Sequence, residues 1–171
     1  MWFDHKEGGA MIRKLFQTND DVVPLVLRFF LGFLILPHCM QKLLGWYGGE
    51  GFAGTMAYLT GMGMPALLAF LDIMCEPLAC LGLIPGFMTR IAAALVTIEM
   101  TVAIFMIHLP YGLFMNWNGK QAGEGFEYNL LVIIIAVALL IKGGGKWSID
   151  KAASDLFDAL FSGVSFRDVV R

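Results

Sequence analysis

Four long apolar segments, at residues 22–42, 65–84, 90–108 and 126–141, constrain this chain more than any other feature. Each runs for about 16–21 residues, enough to cross a hydrocarbon core about 30 Å thick at about 1.5 Å per residue, the last with little to spare. The expected fold is an all-α integral membrane protein, a four-transmembrane-helix bundle. Composition agrees: 58% of residues are apolar and 15% charged, and the mean hydropathy of +0.71 is too high for a soluble domain of this size. A net charge of −2 with no basic stripe argues against nucleic acid as a partner.

Polar or glycine-rich breaks, "GWYGGEGFAGT", "IPGFMTR" and "LPYGLFMNWNGKQAGEG", separate the spans. The expected division is an amphipathic N-terminal segment at 1–21, a membrane domain at 22–142 and a C-terminal segment at 143–171. Residues 1–21 show no apolar core ahead of a small-residue cleavage site, so the first span is expected to direct insertion. After the fourth span, Leu156, Phe157, Leu160 and Phe161 recur at helical spacing, as in an interfacial C-terminal amphipathic helix on the membrane surface. Basic residues set the orientation. Lys6, Arg13, Lys14, Arg90, Lys142, Lys146, Lys151, Arg167 and Arg171 fall on one side and only Lys42 and Lys120 on the other, which puts both termini in the cytoplasm of a multi-pass inner-membrane protein.

The stretch "LDIMCEPLACLGLIPGFMTR" carries two carboxylates, Asp72 and Glu76, inside a span. A charge at bilayer depth costs about 2.5–3.5 kcal/mol on insertion scales, so these acids need a partner or a task. Measured from the cytoplasmic end of each span, Arg28 lies roughly 9 Å in, Glu76 roughly 12 Å and Asp72 roughly 18 Å. An Arg28–Glu76 ion pair is the economical expectation. It admits two meanings: a lock between spans 1 and 2, or a pair in which Asp72 or Glu76 remains available as a proton carrier, because two close carboxylates resist simultaneous ionisation. Pro77 and Arg90 are expected structural residues, Pro77 because it removes a helix hydrogen bond beside the acids.

On span 3, Thr97, Thr101 and His108 share one side and Glu99 lies roughly opposite His108, about 100° per residue being the helical step. The expectation is that the threonines and His108 face inward while Glu99 sits at a helix contact, a dimer interface or a shallow second site. His38, Lys42 and His108 gather near the outer end, with Glu127 at the same level. Either Lys42 snorkels among solvated histidines, or with Arg28 these residues form a quinone or anion site. No close-spaced His/Cys/carboxylate signature supports a metal. Cys39, Cys75 and Cys80 lack a CxxC arrangement and read as small buried residues, and the 11 methionines read as core filler.

Several stretches taken together resemble the DoxX family over about residues 22–152. They are "LRFFLGFLILPHCMQKLLGWYGGEGFAGT", "CEPLACLGLIPGFMTRIAAAL", "EGFEYNLLVI" and "GGGKWSIDKA", which resemble in order the family's arginine, histidine, Lys-Leu, glutamate, Gly-x-x-Thr-Arg, Glu-Tyr and Gly-x-x-Ser-hydrophobic-Asp positions. Cys39 stands where the family has a glycine, and Ala79 with Cys80 where it has a glycine pair. The resemblance implies a four-helix membrane bundle, linked in some members to oxidoreductase complexes, one of them a thiosulfate:quinone oxidoreductase. The expected role is a membrane subunit of a quinone-linked redox system with no tightly bound cofactor of its own, working with a soluble or membrane redox partner or as a homo-oligomer. The competing expectation is a non-enzymatic scaffold or small-solute carrier that recruits a soluble partner.

Overall fold

The computed structural model describes residues 13–162. Lys6, Arg167 and Arg171, residues 1–12 of the expected N-terminal segment, and the side chains of Leu160 and Phe161 lie outside the described residues. Helix α1 (Val22–Leu44) starts where the Asp21 side chain accepts from the Val23 N–H, and it ends at Gly45, whose φ of 71° is open to glycine at little cost. A short 3₁₀ turn leads into α2 (Gly51–Gly61), which is followed by α3 (Ala66–Leu83) and α4 (Thr89–Ala103). A π-helical turn at Ile104–His108 extends α4, and after a long loop come α5 (Glu127–Lys142) and α6 (Ile149–Ser162). α3 runs on as one helix through Pro77.

Each long helix buries one stripe and exposes the rest. On α1 the buried residues are Pro24, Arg28, Leu31, Gly32, Ile35 and Cys39, at the three- and four-residue spacing of a single face. Its other side exposes Phe29, Phe30, Phe33 and Leu34, and α3 likewise exposes Leu67, Leu68, Leu71, Leu78 and Leu81. A soluble protein avoids apolar surface of that extent, whereas lipid is its natural solvent. α1, α3 and the α4 stretch Thr89–Tyr111 are long and apolar enough to cross a membrane, and α5 is shorter at 16 residues.

α1 packs on α3, α3 on α4, α4 on α5, and α5 returns to α1. Small residues let the helices close. Ala79, Cys80, Ala92, Ala93 and Ala136 sit in the core with Leu31, Leu83, Val96 and Leu139. The Cys80 thiol, standing at the glycine-pair position, donates to the Gly32 carbonyl at 3.4 Å. A Cβ at Gly32 would meet Ile84 at 2.8 Å, so bulk there would separate α1 from α3.

The end of the bundle where α3 hands over to α4 is tied shut by Arg28. Its guanidinium donates to the carbonyls of Leu83, Ile84, Gly144, Lys146 and Trp147. The expected Arg28–Glu76 ion pair therefore does not form. Arg28 lies level with the last turn of α3, because α1 begins more than a turn beyond that helix, and Glu76 is about two turns, or about 11 Å, further along. Gly86, at φ 70°, sits against Arg28 so closely that a Cβ would meet its Cζ at 2.8 Å. Asp150 then caps α4 from a distance, accepting from Met88 N at 2.7 Å and Thr89 N at 2.9 Å. Arg90 donates to the Leu140 and Gln17 carbonyls.

With no shared partner, Arg28 and Glu76 should behave independently. Arg28→Met should destabilise strongly, because buried carbonyls lose a charged donor at about 1–3 kcal/mol each. Combined with Glu76→Gln, the two losses should add within about 0.5 kcal/mol in detergent unfolding curves. A large coupling would restore the ion pair.

Candidate functional site

At the opposite end of the bundle the Lys42 side chain reaches inward from the last turn of α1. Its Nζ lies 3.2 Å from Asp72 Oδ2, 3.2 Å from Glu76 Oε1 and 2.9 Å from Glu99 Oε1. Asp72 and Glu76 come from adjacent turns of α3, which is why both address one cation, and Glu99 comes from the facing side of α4. One ammonium thus pins three helices. The Glu76 and Glu99 side chains are only 4% and 2% exposed, so these charges are taken out of solvent almost completely. Lys42 has three N–H donors and no acceptor; it donates to Asp72 and Glu99, and Glu76 stands beside it as an ion-pair partner.

The expected orientation of span 3 is reversed. Thr97 and Thr101 turn their hydroxyls back onto their own helix, to Ala93 O at 2.8 Å and Thr97 O at 2.7 Å, while Glu99 faces inward to Lys42. His108 nonetheless lines the same space. The π-turn at Ile104–His108 reconciles the two: absorbing about one extra residue cuts the angle between Glu99 and His108 from roughly 180° to roughly 80°. His108 Nδ1 lies 2.8 Å from the Glu124 carbonyl and must donate to it, which leaves Nε2 of a neutral ring as an acceptor.

Above the cluster lies a cavity of about 510 Å³. Ile35, Leu59, Met64, Met100, Val102 and Met106 supply apolar walls, and His38, Tyr128 and Asn129 add polar edges. Its mouth, by Glu50, His108, Met115 and Glu124, faces the loops between α1 and α2 and between α4 and α5. Two buried oxygens on its floor, Glu76 Oε2 and Glu99 Oε2, have no hydrogen-bond partner among the described residues. Buried acceptors are rarely left so, and the cavity is where partners would come from. Among the described residues no group of three or more His, Cys, Asp or Glu side chains is placed to hold a metal ion, since Lys42 occupies the centre of the acidic cluster.

Of the residues singled out from sequence, Lys42, Asp72 and Glu76 meet, with His38 and His108 around the cavity. Arg28 belongs to the other end of the bundle. Glu127 lies outside the cavity, its Oε2 accepting from Met115 N at 3.3 Å, and Glu124 takes the place at the mouth expected for it. Glu99, Tyr128 and Asn129 are the site residues that sequence reasoning did not place there. The available signal was charge balance: three acids within the spans and, once Arg28 is satisfied by carbonyls, Lys42 as the cation in reach.

The comparisons with known proteins agree with this architecture. The DoxX family matches residues 23–109, just over half of the chain. The inner membrane protein YqjF of Escherichia coli (strain K12) is 29% identical over 132 residues, covering 77% of this chain and 92% of that protein. No solved structure matches the chain.

Removing the ammonium leaves three carboxylates facing one another in a closed site. Lys42→Met should cost about 3–5 kcal/mol in unfolding free energy, and adding Glu99→Gln should recover part of it. Additive losses in a double-mutant cycle of melts would show that the two groups do not bond in the folded protein.

Proposed function

The chain belongs to the DoxX family and is an integral membrane protein, and on that premise we propose that it is a four-span inner-membrane subunit of a quinone-linked redox system, with the ring held in the cavity above Lys42, Asp72, Glu76 and Glu99. The observation that carries this reading is the cluster itself: a cation and three acids at the floor of a cavity with largely apolar walls and a few polar edges. At about 510 Å³ the cavity lies within the about 300–1,000 Å³ usual for small-molecule sites and takes a substituted ring with the start of a tail. Quinone chemistry couples electron transfer to protons at ring oxygens, and Asp72 and Glu76 are the carboxylates on α3 that can exchange them. Electrons pass to or from a partner redox protein. Three carboxylates against one ammonium disfavour an anion in the same place.

α5 serves as the fourth span in this reading. Its 16 residues cover about 24 Å, apolar between Glu127 and Lys142, and local thinning of the bilayer absorbs the difference. α6 lies along the interface, with Ile149 and Leu156 exposed while Asp150 and Ser154 turn inward. The division at residues 21 and 142 then marks topology rather than independent folding, because Gly144 and Trp147 accept from Arg28. Arg90, Lys142, Lys146 and Lys151 gather at the Arg28 end, which supports a cytoplasmic location for that end, with the cavity mouth outside.

Asp72 tests the redox assignment. It is the most exposed of the three acids at 14%, and its loss leaves Lys42 two partners, so Asp72→Asn should stay folded. Asn keeps size and hydrogen bonding without ionising, and the variant should lose the pH dependence of quinone binding and turnover in membranes that hold the natural partners. Unchanged affinity at every pH with unchanged activity would discard the redox assignment and leave the scaffold or carrier reading. Orientation is tested separately. A thiol engineered at Lys151 should resist a membrane-impermeant maleimide on intact cells and react after lysis, and labelling from outside would invert the topology.

A further inference from the structure

The geometry points to a cavity that selects the reduced, hydroxyl-bearing ring over the oxidised quinone. This inference rests on the quinone reading above and adds the form of the ring that is held. It follows from counting donors and acceptors on the cavity floor. A quinone carbonyl only accepts, so it needs donors, and the strongest donor present is already engaged: Lys42 donates to Asp72 and Glu99, at 3.2 and 2.9 Å, and forms an ion pair with Glu76 at 3.2 Å. The Thr55 hydroxyl donates to Lys42 O at 3.2 Å. His108 donates Nδ1–H to the Glu124 carbonyl at the mouth, Asn129 Nδ2 donates to Met100 Sδ at 3.5 Å, and His38 and the Tyr128 hydroxyl, which can accept as well as donate, stand at the cavity edge.

What the floor offers instead is acceptors. Glu76 Oε2 and Glu99 Oε2 are buried without a partner on side chains 4% and 2% exposed. A ring hydroxyl can donate to either one. Where Glu76 or Glu99 holds a proton, the same hydroxyl can accept it as a hydrogen bond, so a hydroquinone satisfies the floor in every protonation state. A quinone satisfies only a protonated acid, and against a carboxylate it sets two acceptors face to face. The surrounding wall of Ile35, Leu59, Val102 and methionine side chains then packs the ring faces.

The test is anaerobic calorimetric titration of the full-length protein in detergent with three probes: a dimethoxy-methyl hydroquinone, the corresponding quinone, and the dimethyl ether of the hydroquinone, which keeps the shape but cannot donate. The hydroquinone should bind about ten-fold tighter or more than either of the others, the effect of leaving a buried acceptor unpaired. Glu99→Gln and Glu76→Gln place an amide N–H where an acceptor stood and should shrink that preference toward parity. A quinone or ether that binds as tightly as the hydroquinone to the unmodified protein would overturn this inference while leaving the cavity a ring site. A preference that survives in the Glu76→Gln/Glu99→Gln double variant would overturn it too. Saturable binding of none of the three would overturn the quinone reading itself, and this inference with it.

Discussion

The ammonium of Lys42 holds three helices in register. Asp72 and Glu76 on α3 and Glu99 on α4 carry charges that lipid would reject singly, and one cation from α1 meets all three within 3.2 Å. Sliding or rotating any of these helices would leave a buried carboxylate without its cation. The cavity exists because the side chains are gathered low around Nζ instead of filling the space above. α2 and the residues about Leu59, Met64 and Ile73 close over that end as a second, smaller core. The π-turn after α4 follows from the same demand, since it lets His108 share the space that Glu99 already faces.

The two buried cations are satisfied by different chemistry. A guanidinium has a planar fork of donors suited to several carbonyls at once, and Arg28 collects those of the α3 end and of the 144–147 loop, with Asp150 the nearby acid acting on it electrostatically. An ammonium is a compact charge, and Lys42 draws acids around it. One end of the bundle is thereby a closure whose cation has its donors satisfied by carbonyls, and the other keeps unpaired acceptors beside open space. Stability and ligand chemistry are separated along the helix axes.

The family's arginine and its two loop motifs lie in the closure. Gly86 makes room for Arg28, Thr89 N–H is capped by Asp150, Arg90 reaches α5, and Ser148 opens α6 by accepting from Lys151 N at 3.0 Å. Gly-x-x-Thr-Arg and Gly-x-x-Ser-hydrophobic-Asp are in physical terms two halves of one knot. They identify the scaffold. The acids of the site stand outside those motifs, apart from Glu76, and Glu99 belongs to none of them.

Apolar segment lengths determined the helices of this chain, and residue spacing determined that Asp72 and Glu76 share a face. Cys39 and Cys80 were legible as small buried residues, whereas the close approach of Gly32 to Ile84 emerges only from the packing of α1 on α3. Partner choice was not legible. Counting depth from Val22 put Arg28 beside Glu76, but α1 overhangs α3, and only their packing shows that Arg28 meets the Leu83 and Ile84 carbonyls while Lys42 reaches back to the acids. A straight-helix angle set Glu99 against His108, and a π-turn invisible in the pattern removed the conflict. Helix identity is written in local sequence. The offset between helices and the wide turn within one are decided jointly by residues far apart in the chain, so which charge meets which was settled only in three dimensions.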